Sequence, residues 1–373
     1  MMPAPRSILV VNIRLIGDVI LTTPLVGLLK EAFPEAAIDL LVARGTGEFL
    51  ERDPRVRRVL YAHTGSKAER QRNVYQREIF RQYDLAITMN ASDRGAMAVL
   101  LAGRKNRVGF YDQGRFWKGV WKRLLLTHPL ALPEDIPVAR HCRIVAEALR
   151  IPHERLTVKV YWDESDEARV RGILDECGVP DRFFVLHPFA RWIYKFWGFE
   201  RFAAVSDLIV ERYGLHPVWT SSPSQDEKAQ LATAVELCRH RPAIIAGELN
   251  LNQMTCLLGK AKLYVGLDTA VTHLAASTGV PLVALYGPTF TTRWFPWCND
   301  APGPQDSPPS KGLLQRGQIV VVQKDLACVP CGKAGCNDDG LSPSPCLQEI
   351  TVEEVLAAVD ASFASGREKR ILP

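Results

Sequence analysis

The chain has 373 residues, 47% of them hydrophobic and 23% charged, with a net charge of +5. That length suits two domains around two cores, the balance is ordinary for a globular protein, and no apolar run is long enough to cross a bilayer. The modest positive charge favours an acidic substrate or an anionic surface and demands neither.

Ser7 to Ile13 reads as a continuous apolar strand of the kind buried on both faces of a parallel sheet. The start is not a signal peptide: its apolar run is short, is broken by Asn12 and Arg14, and lacks a small-residue cleavage site. Arg14 to Asp18 form a loop, and Val19 to Phe33 a helix with Leu21, Leu25, Leu28 and Leu29 on one stripe. Pro34 ends that helix, and Ala37 to Val42 is the next strand, so a βαβ unit opens the chain. Asp84 to Met89 and Val108 to Phe110 are further strands. Between them, SKAERQRNVYQREIFRQ reads as a solvated helix. GRFWKGVWKRLLL sets Trp117 and Trp121 four residues apart beside Lys118, Lys122 and Arg123. Such a mixture either sits at a membrane interface or packs on its own domain. Leu156 to Trp162 is expected to be the last strand of the first half, followed by a charged linker and a helix up to Gly178.

The second half opens with the strand Phe183 to His187. The loop PFARWIYKFWGFE leads into a helix from Phe202 to Tyr213. His216 to Thr220, Ala243 to Ala246, Leu263 to Val265 and Leu282 to Tyr286 continue a sheet. Within Leu263 to Pro288, Gly266 relaxes the backbone where a strand ends, and Asp268 and Thr269 are good caps for a helix from Ala270 to Thr278. Gly279 and Pro281 stop it. A helix that begins at the carboxyl end of a parallel strand offers free N–H groups and a positive dipole end, which suits a phosphate. His273 lies one turn past Thr269 and shares its face. Ala301 to Lys311 reads as a surface loop, and Thr351 to Phe363 as a closing helix with Thr351 and Glu354 at capping-box spacing.

Several residues then have two readings each. Asp18 is either a helix N-cap or a general base. Lys195, with Arg191 as a weaker candidate, is a surface cation or a group that offsets the charge of a departing diphosphate. His187 is equally well a buried polar residue satisfied by backbone. Asp226 and Glu227 are helix N-terminal acids or a ribose contact. Met254 lines a base pocket or simply packs. Cys328, Cys331, Cys336 and Cys346 are spaced C-x2-C-x4-C-x9-C, a set of thiols that can hold zinc or remain free. Cys142, Cys177, Cys238, Cys256 and Cys298 look isolated and structural. Nine cysteines without an export signal point to a reducing compartment.

RLIGDVILTTP, HPFARWIYKFW, LYVGLDTAVTHLAASTGVPLVALYGP and the run from WFPW to the cysteine-rich tail, taken in order, resemble glycosyltransferase family nine, the bacterial heptosyltransferases. The resemblance spans Ile8 to about Val359. Most members carry Gly where this chain has Ala270; backbone N–H contacts survive that change. The resemblance implies an α/β protein of the GT-B class, two Rossmann-like domains facing each other across a cleft. It places an acceptor-binding domain at 1–162, a donor-binding domain with the Cys-rich tail at 163–350, and a C-terminal helix at 351–373 that packs back on the first domain. The implied activity is inverting transfer of heptose from ADP-L-glycero-β-D-manno-heptose to the inner core of lipopolysaccharide. Asp18 would be the base and Lys195 the phosphate contact. Arg191, Asp226, Glu227, Met254, Asp268, Thr269, Ala270, Val271 and His273 would line the donor site. No catalytic cofactor is implied, and the zinc would be structural. The expected place is the cytoplasm, with peripheral contact on the inner membrane where the acceptor lies. A related enzyme using another nucleotide sugar, or a non-enzymatic nucleotide-sugar binder, are the alternatives; no nucleic-acid partner is expected, because no basic stripe accompanies a known nucleic-acid fold.

Overall fold

The structure is a computed structural model. It describes residues 3–67, 75–114, 116–301, 305 and 312–368, with the side chains of 116–118 and 366–368 excepted. The chain divides into two compact units, Met1–Tyr161 and Trp162–Pro373.

The first unit is built from β1 (Ser7–Asn12), α1 (Ile16–Ile20), α2 (Thr23–Ala32), β2 (Ala37–Ala43), β3 (Arg58–Ala62), α3 (Tyr75–Ile79), β4 (Tyr83–Thr88), α4 (Asp93–Ala102), β5 (Gly103–Tyr111), α5 (Phe116–Leu125), β6 (His128–Ala131) and α6 (His141–Leu149). Its sheet runs β3-β2-β1-β4-β5-β6 and every pairing is parallel. Ile8 to Val11 are fully buried, as a central strand covered on both faces requires. Leu9, Val11, Leu41, Ile79 and Val99 form one core cluster. At the amino edge of the sheet the carboxylate of Asp39 is fully buried. It accepts from Arg57 Nη2 at 2.7 Å, Arg58 Nε at 2.7 Å and Tyr83 Oη at 2.6 Å. Burial pushes that carboxyl up, but these donors outweigh it and hold its pKa below the ordinary value.

The expected helix from Val19 to Phe33 is two helices. Pro24, at the second position of α2, has no N–H for the Ile20 carbonyl and would collide with it in a continuous helix. Thr23 Oγ1 takes that carbonyl instead, at 2.8 Å. No described strand of either sheet includes Leu156 to Trp162. Leu156, Val158 and Val160 are buried alternately, so their periodicity reports one covered face and not a ladder. Among the described residues of the expected solvated helix, Lys67 and Tyr75–Ile79 are helical; 68–74 lie outside them. The loop expected from Ala301 to Lys311 lies almost wholly outside them too.

The second unit holds α7 (Glu164–Glu176), β7 (Phe183–His187), α8 (Phe199–Tyr213), β8 (His216–Ser221), α9 (Gln225–Ala234), β9 (Ala243–Ala246), α10 (Leu251–Lys260), β10 (Tyr264–Leu267), α11 (Ala270–Thr278), β11 (Leu282–Tyr286), α12 (Thr291–Trp294), β12 (Gly312–Arg316), β13 (Ile319–Gln323), α13 (Pro345–Gln348) and α14 (Val352–Glu368). The sheet order is β12-β13-β11-β10-β7-β8-β9. All pairs are parallel except β12 with β13. Neither of those two strands is expected from the sequence. α14 is capped as its sequence implies: Glu354 N–H donates to Thr351 Oγ1 at 3.2 Å and Thr351 N–H to Glu354 Oε2 at 2.7 Å. Its apolar face, Val355, Ala358 and Val359, belongs to the second unit's own core with Phe202, Trp219, Leu285 and Val322. Each fully buried Val or Leu side chain there stabilises by about 2 kcal/mol.

Candidate functional site

In an open parallel sheet, ligands bind beyond the carboxyl ends of the strands where the strand order reverses. The first unit reverses between β1 and β4, and the second between β7 and β10. The loops at these two places carry most of the residues singled out in the sequence.

In the first unit, Asp18 follows β1. It is not the N-cap of a helix, as one reading of the sequence had it; it is the third residue of α1, whose cap is Leu15. Its side chain is 14% exposed, with Arg14 Nε 3.7 Å away. Burial raises its pKa above the ordinary value, although Arg14 and the N–H groups of Leu15 and Asp18 itself pull it back. A carboxylate so enclosed is a stronger base than one in water.

In the second unit, β7 leads into the loop that bears Arg191 and Lys195, and β10 leads into Asp268 and α11. Lys195 Nζ donates to Asp268 Oδ2 at 2.5 Å, and Thr289 Oγ1 donates to the same oxygen at 2.6 Å. Burial raises Asp268, but Lys195 and Thr289 hold its pKa below the ordinary value. Lys195 is therefore an ion-paired cation, 19% exposed. Thr289, which joins this cluster from the loop after β11, was missed in the sequence. Its signal is weak: a hydroxyl three residues beyond a strand, after Gly287 and Pro288. Thr269 caps α11 by backbone position only, for its side chain makes no bond to the first-turn N–H groups. Those groups at Ala270 and Val271 are half-buried and face no capping side chain, so the helix end keeps its capacity for an anion. His273 is buried, with no partner for Nδ1 among the described residues. Burial pushes its pKa down to about 4 against the pull of Asp268, so the ring is neutral and offers hydrogen bonding without charge.

Gly266 lies inside β10, not at its end. A Cβ there would stand 2.2 Å from the Tyr264 hydroxyl, which meets Thr272 Oγ1 at 3.0 Å, while that oxygen donates to Leu267 O at 2.5 Å. The glycine leaves room for a phenol that ties β10 to α11.

The remaining predicted residues sort by position. Arg191 is exposed and lies over the Trp192 ring, 5.2 Å from its centre. Glu227 accepts from Ser222 N–H at 2.8 Å and so closes the turn after β8, whereas Asp226 is exposed. His187 Nδ1 lies 3.0 Å from Thr220 Oγ1, and burial pushes its pKa down to about 4. Met254 is buried on α10. The thiols of Cys328, Cys331, Cys336 and Cys346 are free, and no group of three or more His, Cys, Asp or Glu among the described residues stands ready to hold a metal. Cys336 N–H bonds Pro343 O at 3.3 Å, and Gly332 N–H bonds Pro288 O at 2.8 Å, folding the segment back onto the loop of Thr289. Burial first, then Cys331, Cys328 and Cys336, push the Cys346 thiol up to about 11.

The family model for glycosyltransferase family 9 (heptosyltransferase) matches residues 74–303. Two Escherichia coli proteins named lipopolysaccharide heptosyltransferase 3 are similar. One is 28% identical over 89% of this chain and 98% of its own length. The other, from strain K12, is 30% identical over 75% of this chain and 82% of its own. The solved structure of the E. coli heptosyltransferase WaaC with ADP superposes with a TM-score of 0.67 at 16% identity, covering 95% of this chain and 99% of that one.

Proposed function

The chain belongs to glycosyltransferase family 9, the heptosyltransferase family, and from that premise we propose that it transfers heptose from ADP-heptose to the inner core of lipopolysaccharide with inversion. The fold is GT-B, two Rossmann-like units, the second taking the donor and the first the acceptor. The observation that carries this division is where the candidate residues fall. Asp18 lies at the strand-order reversal of one sheet, and Lys195, Asp268, Thr269 and Thr289 at that of the other.

In the reaction, Asp18 accepts the proton of the acceptor hydroxyl as that oxygen bonds to the anomeric carbon. The bond from that carbon to the diphosphate breaks, and ADP leaves with the electron pair. The N–H groups of Thr269, Ala270 and Val271 and the α11 dipole meet the diphosphate. Lys195 moves its charge from Asp268 towards the leaving oxygen, where charge grows most. His273 adds a neutral hydrogen bond, and Arg191 a solvent-side cation. Glu227 is occupied by its turn, so Asp226 is the better ribose contact, and Met254 backs the base. No catalytic cofactor takes part. Cys328, Cys331, Cys336 and Cys346 would hold a structural zinc, a reading supported by their spacing and by the influence of the other three thiols on Cys346.

No helix among the described residues is long and apolar enough to cross a membrane. The enzyme works in the cytoplasm and touches the inner membrane through α5, where Leu124 is 77% and Leu125 50% exposed beside exposed Arg123. One assay tests the whole. ADP-heptose and heptose-deficient lipopolysaccharide, presented in anionic vesicles or in detergent, are incubated with the protein and the product is weighed. The expected result is the mass of one added heptose, made by wild type and reduced by roughly a hundredfold or more in Asp18→Asn. Leu124→Glu should slow only the vesicle reaction. No added heptose in either presentation would end the proposal.

A further inference from the structure

Asp18 is fixed by its backbone as well as by its surroundings. In a continuous helix the Thr22 N–H would bond the Asp18 carbonyl. Here that N–H turns to Val19 O at 3.1 Å, and the Asp18 carbonyl is left to side chains. Asn12 Nδ2 donates to it at 3.0 Å and Thr22 Oγ1 at 2.9 Å. Asn12 Nδ2 also donates to Thr22 Oγ1 at 2.7 Å. Asn12 is the last residue of β1 and is 3% exposed; Thr22 is 2% exposed. From the loop after β4, Asn90 Nδ2 donates to Asn12 Oδ1 at 3.2 Å, while Asn90 Oδ1 accepts the Ser92 N–H at 3.0 Å. The amide pair thus crosses the strand-order reversal between β1 and β4 and ends on the Asp18 peptide. The direction of each amide is set by chemistry, because the Asp18 carbonyl can only accept.

Pro24 alone would interrupt the helix. It would not decide how the last turn before the break is aimed. We infer that Asn12, backed by Asn90 and joined by Thr22, is a positioning residue that aims the Asp18 carboxylate for proton removal. Asn12 makes no bond to that carboxylate; it acts through the peptide that carries it. The inference rests on Asp18 being the base.

The test measures kcat, the KM for ADP-heptose, the pH dependence of kcat, ADP affinity and melting temperature for Asn12→Asp, Thr22→Val, Thr22→Ser and Asp18→Asn. Asn12→Asp removes the donor and turns an acceptor on the Asp18 carbonyl. Thr22→Val removes the hydroxyl at nearly constant shape, and Thr22→Ser restores it. Asn12→Asp and Thr22→Val should lower kcat by about tenfold or more, displace the acid limb of the pH profile, and leave ADP affinity and donor KM unchanged. Thr22→Ser should keep the wild-type rate and profile. Should Asn12→Asp fail to fold, the Thr22 pair decides alone. Wild-type kcat and acid limb in Thr22→Val, with Asp18→Asn inactive, would overturn the positioning role and leave the base in place. Full activity in Asp18→Asn would remove the base itself, and this inference with it.

Discussion

Two buried histidines give the protein a pH signature that belongs to single residues. His187 and His273 are neutral in the folded chain, each pushed down to about 4 by burial. Once unfolded they take a proton near 6.5. Below that pH the unfolded chain binds protons that the folded chain refuses, so their stabilising contribution is complete above 6.5 and drains as pH falls towards 4. Each histidine accounts for about 3 kcal/mol over that window. Melting temperature should therefore drop between pH 7 and pH 5, and His187→Gln and His273→Gln should each flatten the drop; an unchanged slope in both would show that other groups set it. The sequence made these residues visible but not their charge state. His273 reads as a group that can reach an anion, and burial, which no spacing reveals, decides that it brings no charge. Lys195 is similar. Its place in a loop is legible, but its partner Asp268 stands 73 residues away, and that pairing follows from strand order.

At the level of elements, the strands that carry the candidate site were the most legible. β1, β7, β10 and β11 are continuous apolar runs because both faces are covered. The break between α1 and α2 was not, although Pro24 announces it, because the leucine stripe has Leu21 before that proline and Leu25 just after it. Leu156 to Trp162 misled for the opposite reason: its alternation marks one covered face outside the described strands. The cysteine segment is the element whose state matters most. It is fastened to the Thr289 loop by the bond from Gly332 to Pro288, and Cys346 is its buried member. If zinc closes it, purified protein should carry about one metal per chain, and a chelator should lower the melting temperature. Cys346→Ser should reproduce the chelated state. Metal-free protein that melts as high in reductant as the wild type would leave these as four plain thiols.

Across the whole molecule the two units have separate cores, so unfolding need not be a single transition. ADP should raise the transition of the second unit, by roughly 5–10 °C at a hundredfold excess over its Kd. Asp39→Asn should lower the transition of the first, through a loss of about 2 kcal/mol of stability with its charge-assisted bonds. Scanning calorimetry with both perturbations reads the two effects; one transition moved equally by each would mean that the units melt as one. The cores also differ in when they can close. All six strands of the first sheet lie before residue 132, whereas the second core takes Val320 and Val322 from β13 and Val355, Ala358 and Val359 from α14. On the ribosome the first sheet can therefore form while the second half is still being made. The second unit stays open along one wall until α14 has emerged, and a nonsense codon before Val352 would release a chain with its second core uncovered.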